Sequence, residues 1–120
     1  IPAGAEDHTE RRTLDLPVTV KLWGTFPHMH AIGSGYHLSF EDNDGTDQCL
    51  VTSDKYDFDN QLTYMFKEPV EVPAGQPIHW QCTWDNSPQN PEQMYDPPVD
   101  IGYGERTDEE MCFAFSLISL

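Results

Sequence analysis

The sequence predicts an all-β fold, an antiparallel β-sandwich of jelly-roll type, for a single domain that spans residues 1–120. Several short segments alternate apolar and polar residues with a period of two, which is typical of strands with one buried face. Turn-forming residues separate these segments, and apolar residues spaced as on a helix are nearly absent. Short strands separated by turns, without a repeat, favour two packed antiparallel sheets.

The first predicted strand covers residues 18–26. Apolar or small residues occupy one parity there: Val18, Val20, Leu22, Gly24 and Phe26. His28 and His30 continue that parity, provided that Pro27 does not break the register. The pattern therefore predicts both imidazoles at the inner end of a core-facing strand.

The middle of the chain continues the strand-and-turn pattern. Residues 36–41 alternate as a strand, and the acidic stretch 42–45 is typical of a hairpin turn. Its glycine comes too early for a calcium-binding EF-hand loop. Residues 61–66 are another short strand candidate, and a turn at 72–76 precedes a further strand. That strand has one clearly apolar face: Ile78, Trp80, Cys82 and Trp84.

The C-terminal part combines a long loop with a last strand. Residues 85–103 are proline-rich and lack periodicity, which predicts a surface loop. The final strand begins at Met111, where alternation places Met111 and Cys112 on opposite faces. Residues 1–12 show no usable pattern.

Composition excludes several classes of function. Six basic and 21 acidic side chains give a formal net charge of -15, which repels nucleic acid and anionic membrane surfaces. Six Phe, five Tyr and three Trp are too many for a disordered tail. No apolar run reaches the roughly 18 residues of a membrane span. The chain begins at Ile1 without an initiator methionine, so we expect a processed or excised segment.

The most informative chemical feature is the His-x-His spacing of His28 and His30. Side chains two apart on a strand project from the same face. Two neutral imidazoles and a thioether from a distant strand form a ligand set that suits copper, Cu(I) in particular. On spacing alone, histidines that satisfy ordinary surface or core contacts are the competing interpretation.

Two motifs resemble the copper type II, ascorbate-dependent monooxygenases, which include the peptidylglycine and dopamine enzymes. The segment Pro27-His28-Met29-His30, followed by Gly33 to Tyr36, resembles their His-x-His strand and turn. The acidic segment Asp108-Glu109-Glu110-Met111-Cys112 resembles their Asp-Glu-Met-Cys segment. The resemblance covers about residues 17–120, the family's C-terminal domain. It implies one copper ion, Cu(I) or Cu(II), held by His28, His30 and Met111.

The same resemblance implies a partner and a disulfide. In two-domain members a preceding domain holds a second copper with three histidines, so an upstream copper domain or another redox partner is expected. Cys112 is implied to form a disulfide, with Cys82 its best-placed partner, in a secreted, periplasmic or cell-surface compartment. Cys49 is left over. A buried small side chain is the favoured interpretation, and an intermolecular or interdomain bridge is the alternative.

This chain departs from the family pattern in two ways. It has no adjacent histidine pair, since its other histidines are His8, His37 and His79. Where peptide-amidating members hold a substrate carboxylate with polar groups, this chain carries Phe26, Phe113 and Phe115. We therefore expect glycine-extended peptides to be poor substrates and an apolar or aromatic small molecule to fit better.

Several neighbouring residues are expected to have roles other than metal binding. Met29 is disfavoured as a ligand because it faces away from the two imidazoles. His37 and His79 lie on polar parities, as surface residues do. Glu109 and Glu110 could hydrogen-bond a ligand imidazole, although solvated loop carboxylates are commoner.

The leading hypothesis is an extracytoplasmic mononuclear copper domain that binds O2 at Cu(I) and hydroxylates an unidentified C–H substrate, provided that a second electron is supplied. The first alternative is a module that stores or delivers copper without turnover. The second is a non-catalytic sandwich with a decayed site.

Overall fold

Two antiparallel sheets pack face to face, which confirms the predicted β-sandwich. The computed structural model describes residues 1–120. The strands are β1 (His8–Asp15), β2 (Val20–His28), β3 (Gly33–Glu41), β4 (Asp47–Ser53), β5 (Tyr64–Val72), β6 (Pro77–Trp84) and β7 (Phe113–Ser119). The first sheet has the strand order β1-β6-β3-β4 and the second the order β5-β2-β7. A single turn of 3₁₀ helix, Phe58–Asn60, interrupts the β4 to β5 connection. No helix has the length and apolar character needed to cross a bilayer.

The core confirms the predicted apolar face of β6. Trp80, Cys82 and Trp84 are buried, and they pack against residues of β3 and of the turn after β2. The other buried members of this cluster are Met29, Ile32, Tyr36, Leu38, Val51 and Ile101. A smaller cluster of Val20, Leu22 and Val72 closes the opposite end of the sandwich.

Strand β1 is absent from the sequence prediction, and its burial explains why. It pairs with β6 along its whole length, from His8 opposite Trp84 to Asp15 opposite Pro77. Seven of its eight residues are nevertheless exposed. Backbone hydrogen bonds hold this edge strand, so its side chains show no apolar alternation.

The disulfide implied by the resemblance is present. Cys82 of β6 is joined to Cys112, immediately before β7, across a sequence separation of 30. The bond therefore ties the two sheets together. In the chain-entropy model, closing a loop of this length stabilises the fold by about 3 to 4 kcal/mol.

Cys49 differs from its favoured interpretation, because its side chain is exposed. The pairing of β3 with β4 shifts between Leu38 and Ser39, so that Cys49 lies opposite Ser39 while the buried Val51 lies opposite Leu38. The thiol thus lies on the outer face of the first sheet, 4.0 Å from Nδ1 of His37.

A bulge in β2 reverses the predicted parity of the two histidines. Leu22 pairs with Ile118 and Gly24 with Leu117, which leaves Trp23 as an extra residue on β2. Such a bulge exchanges the two faces of the strand that follows it. Beyond it Thr25, Pro27 and Met29 are buried at alternate positions; His30 is buried as well, but its ring packs against Phe58 and not in the core cluster.

Phe26, His28 and His30 consequently lie on the outer face of the second sheet. The prediction that both imidazoles end a core-facing strand is therefore wrong. The inference that they share one face is retained, because both follow the bulge.

Gly24 at this bulge provides a test. A Cβ atom there would lie 2.6 Å from the Tyr64 carbonyl oxygen and 2.7 Å from the Met65 sulfur. Because backbone cannot move aside as a flexible side chain can, Gly24→Ala should lower the free energy of unfolding by about 1 to 3 kcal/mol. Chemical denaturation measures the change. Gly102→Ala is the control, since a Cβ atom there meets nothing within 4 Å. Equal stability of the two variants would contradict the close packing at the bulge.

Candidate metal centre

His28 and His30 come together where β2 ends and the chain turns towards β3. Their ring centroids are 5.2 Å apart, and the rings are nearly perpendicular. His28 is half-buried, whereas only 5 % of His30 is exposed. Two imidazole rings at this separation can direct nitrogen atoms towards a common point.

The His30 ring is held by a backbone carbonyl. Its Nδ1 lies 3.0 Å from the carbonyl oxygen of Glu109. A carbonyl oxygen only accepts, so Nδ1–H must donate. In the neutral ring this leaves Nε2 without a proton and with a lone pair for a metal ion.

The His28 ring is held in an equivalent way by a side chain. Its Nδ1 lies 2.8 Å from Oε1 of Gln61. The amide nitrogen of Gln61 donates to the Phe58 carbonyl oxygen at 3.0 Å, which fixes the orientation of the amide. Oε1 therefore faces His28 as an acceptor, and Nε2 of His28 also carries a lone pair.

A buried carboxylate orders the turn that carries His30. Glu110 is 3 % exposed, and Oε2 accepts the N–H groups of His30 and of the Trp84 indole, each at 2.9 Å. Oε1 accepts the N–H of Ile32 at 2.9 Å. Burial raises the pKa of the Glu110 carboxyl, and these hydrogen bonds act against that shift. The expectation that Glu110 is a solvated loop carboxylate is therefore wrong.

The residue between the two histidines is clamped by a tyrosine. The Tyr56 hydroxyl donates to the Met29 carbonyl oxygen at 2.7 Å and accepts the Met29 N–H at 3.0 Å. The Met29 side chain is fully buried in the core. Its thioether thus lies on the sheet face opposite the imidazoles.

Met111 approaches the same region from the neighbouring strand. β2 and β7 are antiparallel, and their pairing ends with His28 opposite Phe113, two residues after Met111. Met111 is half-buried and follows Glu110 directly. Its side chain lines a cavity of about 350 Å³ whose walls include Tyr103 and Phe113 but neither histidine. The structure brings the two imidazoles together, while Met111 lines a cavity that neither of them lines.

Three phenylalanines extend the histidine face. Phe26 and Phe115 each have a ring centroid 6.3 Å from that of His28, and Phe113 lies 5.6 Å from Phe115. Phe115 is 57 % exposed. We call Phe26, Phe113 and Phe115 the phenylalanine surface. It presents apolar rings to solvent directly beside the candidate metal centre.

The remaining histidines lie elsewhere. His37 and His79 are on the first sheet, where Nε2 of His37 is 3.4 Å from Asp47 and Nε2 of His79 is 3.6 Å from Glu41. No group of three or more His, Cys, Asp or Glu side chains assembles in a metal-binding arrangement.

Comparison with known proteins identifies a family for this chain. Residues 8–117 match the family model for the copper type II ascorbate-dependent monooxygenase, C-terminal domain. The chain belongs to this family. A search of curated proteins gave no match.

The residues of this monooxygenase domain fit a copper ion. Nδ1 of each imidazole is engaged by an acceptor, so both Nε2 atoms have lone pairs, and neither donates to the protein. Imidazole nitrogen is a good ligand for copper in both oxidation states, and a thioether favours Cu(I). His28 and His30, with Met111, would hold the metal.

Three residues that support the site were not foreseen from the sequence. The sequence predicts a strand that begins at Gln61, but Gln61 lies before β5, in the segment that connects β4 to β5. Tyr56 and Phe58 belong to the same aperiodic segment, so no pattern marked them. Their roles depend on contacts with a segment about thirty residues away, which only the tertiary structure reveals.

Glu110→Gln should destabilise the monooxygenase domain by about 1 to 3 kcal/mol. The Glu110 carboxylate accepts every hydrogen bond it makes, and an amide nitrogen in place of either oxygen would face an N–H group. Thermal or chemical denaturation measures the loss. Glu105→Gln is the control, since Glu105 is exposed. If the two variants unfold alike, the carboxylate does not order the turn.

Proposed function

We propose that the chain is a mononuclear copper domain of the monooxygenase type, in which His28, His30 and Met111 hold one copper ion used to hydroxylate a C–H bond of an apolar substrate. The observation that supports it best is the pair of adjacent imidazoles, each hydrogen-bonded through Nδ1. This arrangement orients both rings and leaves both Nε2 atoms available. Membership of a copper-dependent family supports the choice of metal.

Bound copper supplies the one-electron chemistry that activates O2. Hydroxylation inserts one oxygen atom into a C–H bond and reduces the other to water, which consumes two electrons and two protons. Copper(I) supplies one electron, so ascorbate, an upstream copper domain or another redox partner must supply the second. The residues around the centre hold the ligands and shape the surface that the substrate meets.

The substrate side of the centre is apolar. The phenylalanine surface flanks His28 and contributes no hydrogen-bond donor or cation. A carboxylate placed against these rings would lose hydration without gaining a partner, at a cost of several kcal/mol. An apolar or aromatic small molecule is therefore the proposed substrate class, and glycine-extended peptides are disfavoured.

The proposed location is an extracytoplasmic, oxidising compartment, as in secreted or periplasmic proteins. The Cys82 to Cys112 bond supports this, since structural disulfides persist where thiols are not kept reduced.

Storage or delivery of copper without turnover is the second candidate function. It is supported by the same pair of oriented imidazoles, which can hold copper without any substrate step. Oxygen consumption by the copper-loaded chain, with ascorbate and apolar candidate substrates, separates the two functions. Copper-dependent hydroxylation supports the monooxygenase, and stoichiometric binding without oxygen uptake supports the storage module.

Replacing both His28 and His30 with Ala should abolish stoichiometric copper binding, because the two nitrogen ligands are lost together. Metal content after dialysis and the Cu(II) electron paramagnetic resonance spectrum report the result. The matched control replaces His37 and His79, which lie on the other sheet, and should retain one copper. A full equivalent of copper with an unchanged spectrum in the first variant would place the site elsewhere.

Met111→Ala should weaken binding of Cu(I) more than binding of Cu(II), because a thioether is a soft ligand. Competition with a Cu(I)-selective and a Cu(II)-selective chelator measures the two affinities. Met94→Ala, at an exposed position, is the control. Equal weakening of both oxidation states would show that Met111 acts through packing.

A further inference from the structure

We propose that Gln61 is a positioning residue that sets the tautomer of His28 and aims its Nε2 atom at the metal. This inference rests on the proposed copper site. It adds a role for the connector between β4 and β5, residues 54–63, which the family match does not provide. Gln61 is half-buried at the end of that connector, 33 residues from the histidine that it contacts.

The connector has a well-defined local structure. Asp57 caps the 3₁₀ turn, since its side chain accepts the N–H of Asp59 at 2.9 Å. The Asn60 N–H donates to the Asp57 carbonyl oxygen at 3.2 Å and closes the turn. The Phe58 carbonyl oxygen is thereby presented to the Gln61 amide, which donates to it at 3.0 Å.

The contact with the Phe58 carbonyl oxygen allows the Gln61 amide only one orientation. If the amide were reversed, its oxygen would face the Phe58 carbonyl and its nitrogen would face Nδ1 of His28. Two acceptors would then oppose each other, and His28 would be forced to accept at Nδ1. In the observed orientation Oε1 accepts from Nδ1–H at 2.8 Å, and Nε2 is the ligating atom.

The connector contacts the whole His-x-His segment and not His28 alone. The Phe58 ring packs against His30 at a centroid distance of 5.9 Å, in a T-shaped arrangement. The Tyr56 hydroxyl clamps the Met29 backbone between them. His30 takes its own Nδ1 acceptor from Glu109, so Gln61 acts on one imidazole while the other serves as an internal reference.

Gln61→Leu and Gln61→Glu separate the acceptor from the bulk of the side chain. Leucine removes the acceptor at similar size, whereas glutamate keeps an oxygen for Nδ1 and loses only the donation to the Phe58 carbonyl oxygen. Gln89→Leu, at an exposed loop position, is the matched control. Two-bond proton–nitrogen NMR of the metal-free chain, at about pH 8.5 where an ordinary imidazole is neutral, identifies the protonated nitrogen of each ring. Chelator competition measures the affinity for Cu(I).

The expected result is that His28 carries its proton on Nδ1 in the unmodified chain, in Gln61→Glu and in the control. In Gln61→Leu, His28 should shift towards the Nε2-protonated form, while His30 is unchanged. Loss of a supporting hydrogen bond of this kind typically weakens metal binding about 10- to 100-fold, and we expect that loss only in Gln61→Leu.

An unchanged His28 tautomer in Gln61→Leu would overturn the proposal, whether or not the affinity falls. Failure of the unmodified chain to bind copper would instead contradict the proposed function. The NMR result on the metal-free chain is independent of that outcome, so the two failures are distinguishable.

Discussion

The Glu110 carboxylate connects three segments around the candidate metal centre. It accepts the N–H groups of His30 and Ile32 in the turn after β2 and the indole N–H of Trp84 in the core. Its own backbone continues directly into Met111 and Cys112. Without an acceptor at this position, buried N–H groups would remain unpaired, which costs about 1 to 3 kcal/mol for each group. One side chain thus fixes the turn that carries His30, the start of β7 and the disulfide relative to one another.

The bulge at Trp23 determines on which face of the second sheet the two imidazoles lie. Before it, Leu22 faces the core, and after it Thr25 does so. The imidazoles are therefore on the outer face of this sheet, His28 half-buried beside the phenylalanine surface and His30 buried beneath Phe58. An unbulged β2 would turn His28 and His30 towards the core and expose Met29. The one-residue insertion therefore decides on which face of the sheet the two imidazoles lie.

The sequence predicted those features that depend on local pattern. The alternation of β6 revealed its buried face, and His-x-His spacing revealed that two imidazoles share a side. Pattern failed where backbone pairing or distant contacts decide the structure. Strand β1 is held by β6 while its side chains are exposed, so it has no alternation to detect. The bulge is set by pairing with β5 and β7, and the role of Gln61 requires a contact across 33 residues. The Cys82 to Cys112 pairing came from family resemblance and is confirmed.

We attribute copper binding to two imidazoles at the end of β2 and a thioether just before β7. X-ray absorption at the copper edge, recorded on the Cu(I)-loaded chain, tests this most directly because it counts nitrogen and sulfur ligands separately. We expect two imidazole nitrogens and one sulfur as copper ligands, with the sulfur contribution absent in Met111→Ala. A shell of three or more imidazoles, or one without sulfur in the unmodified chain, would contradict it.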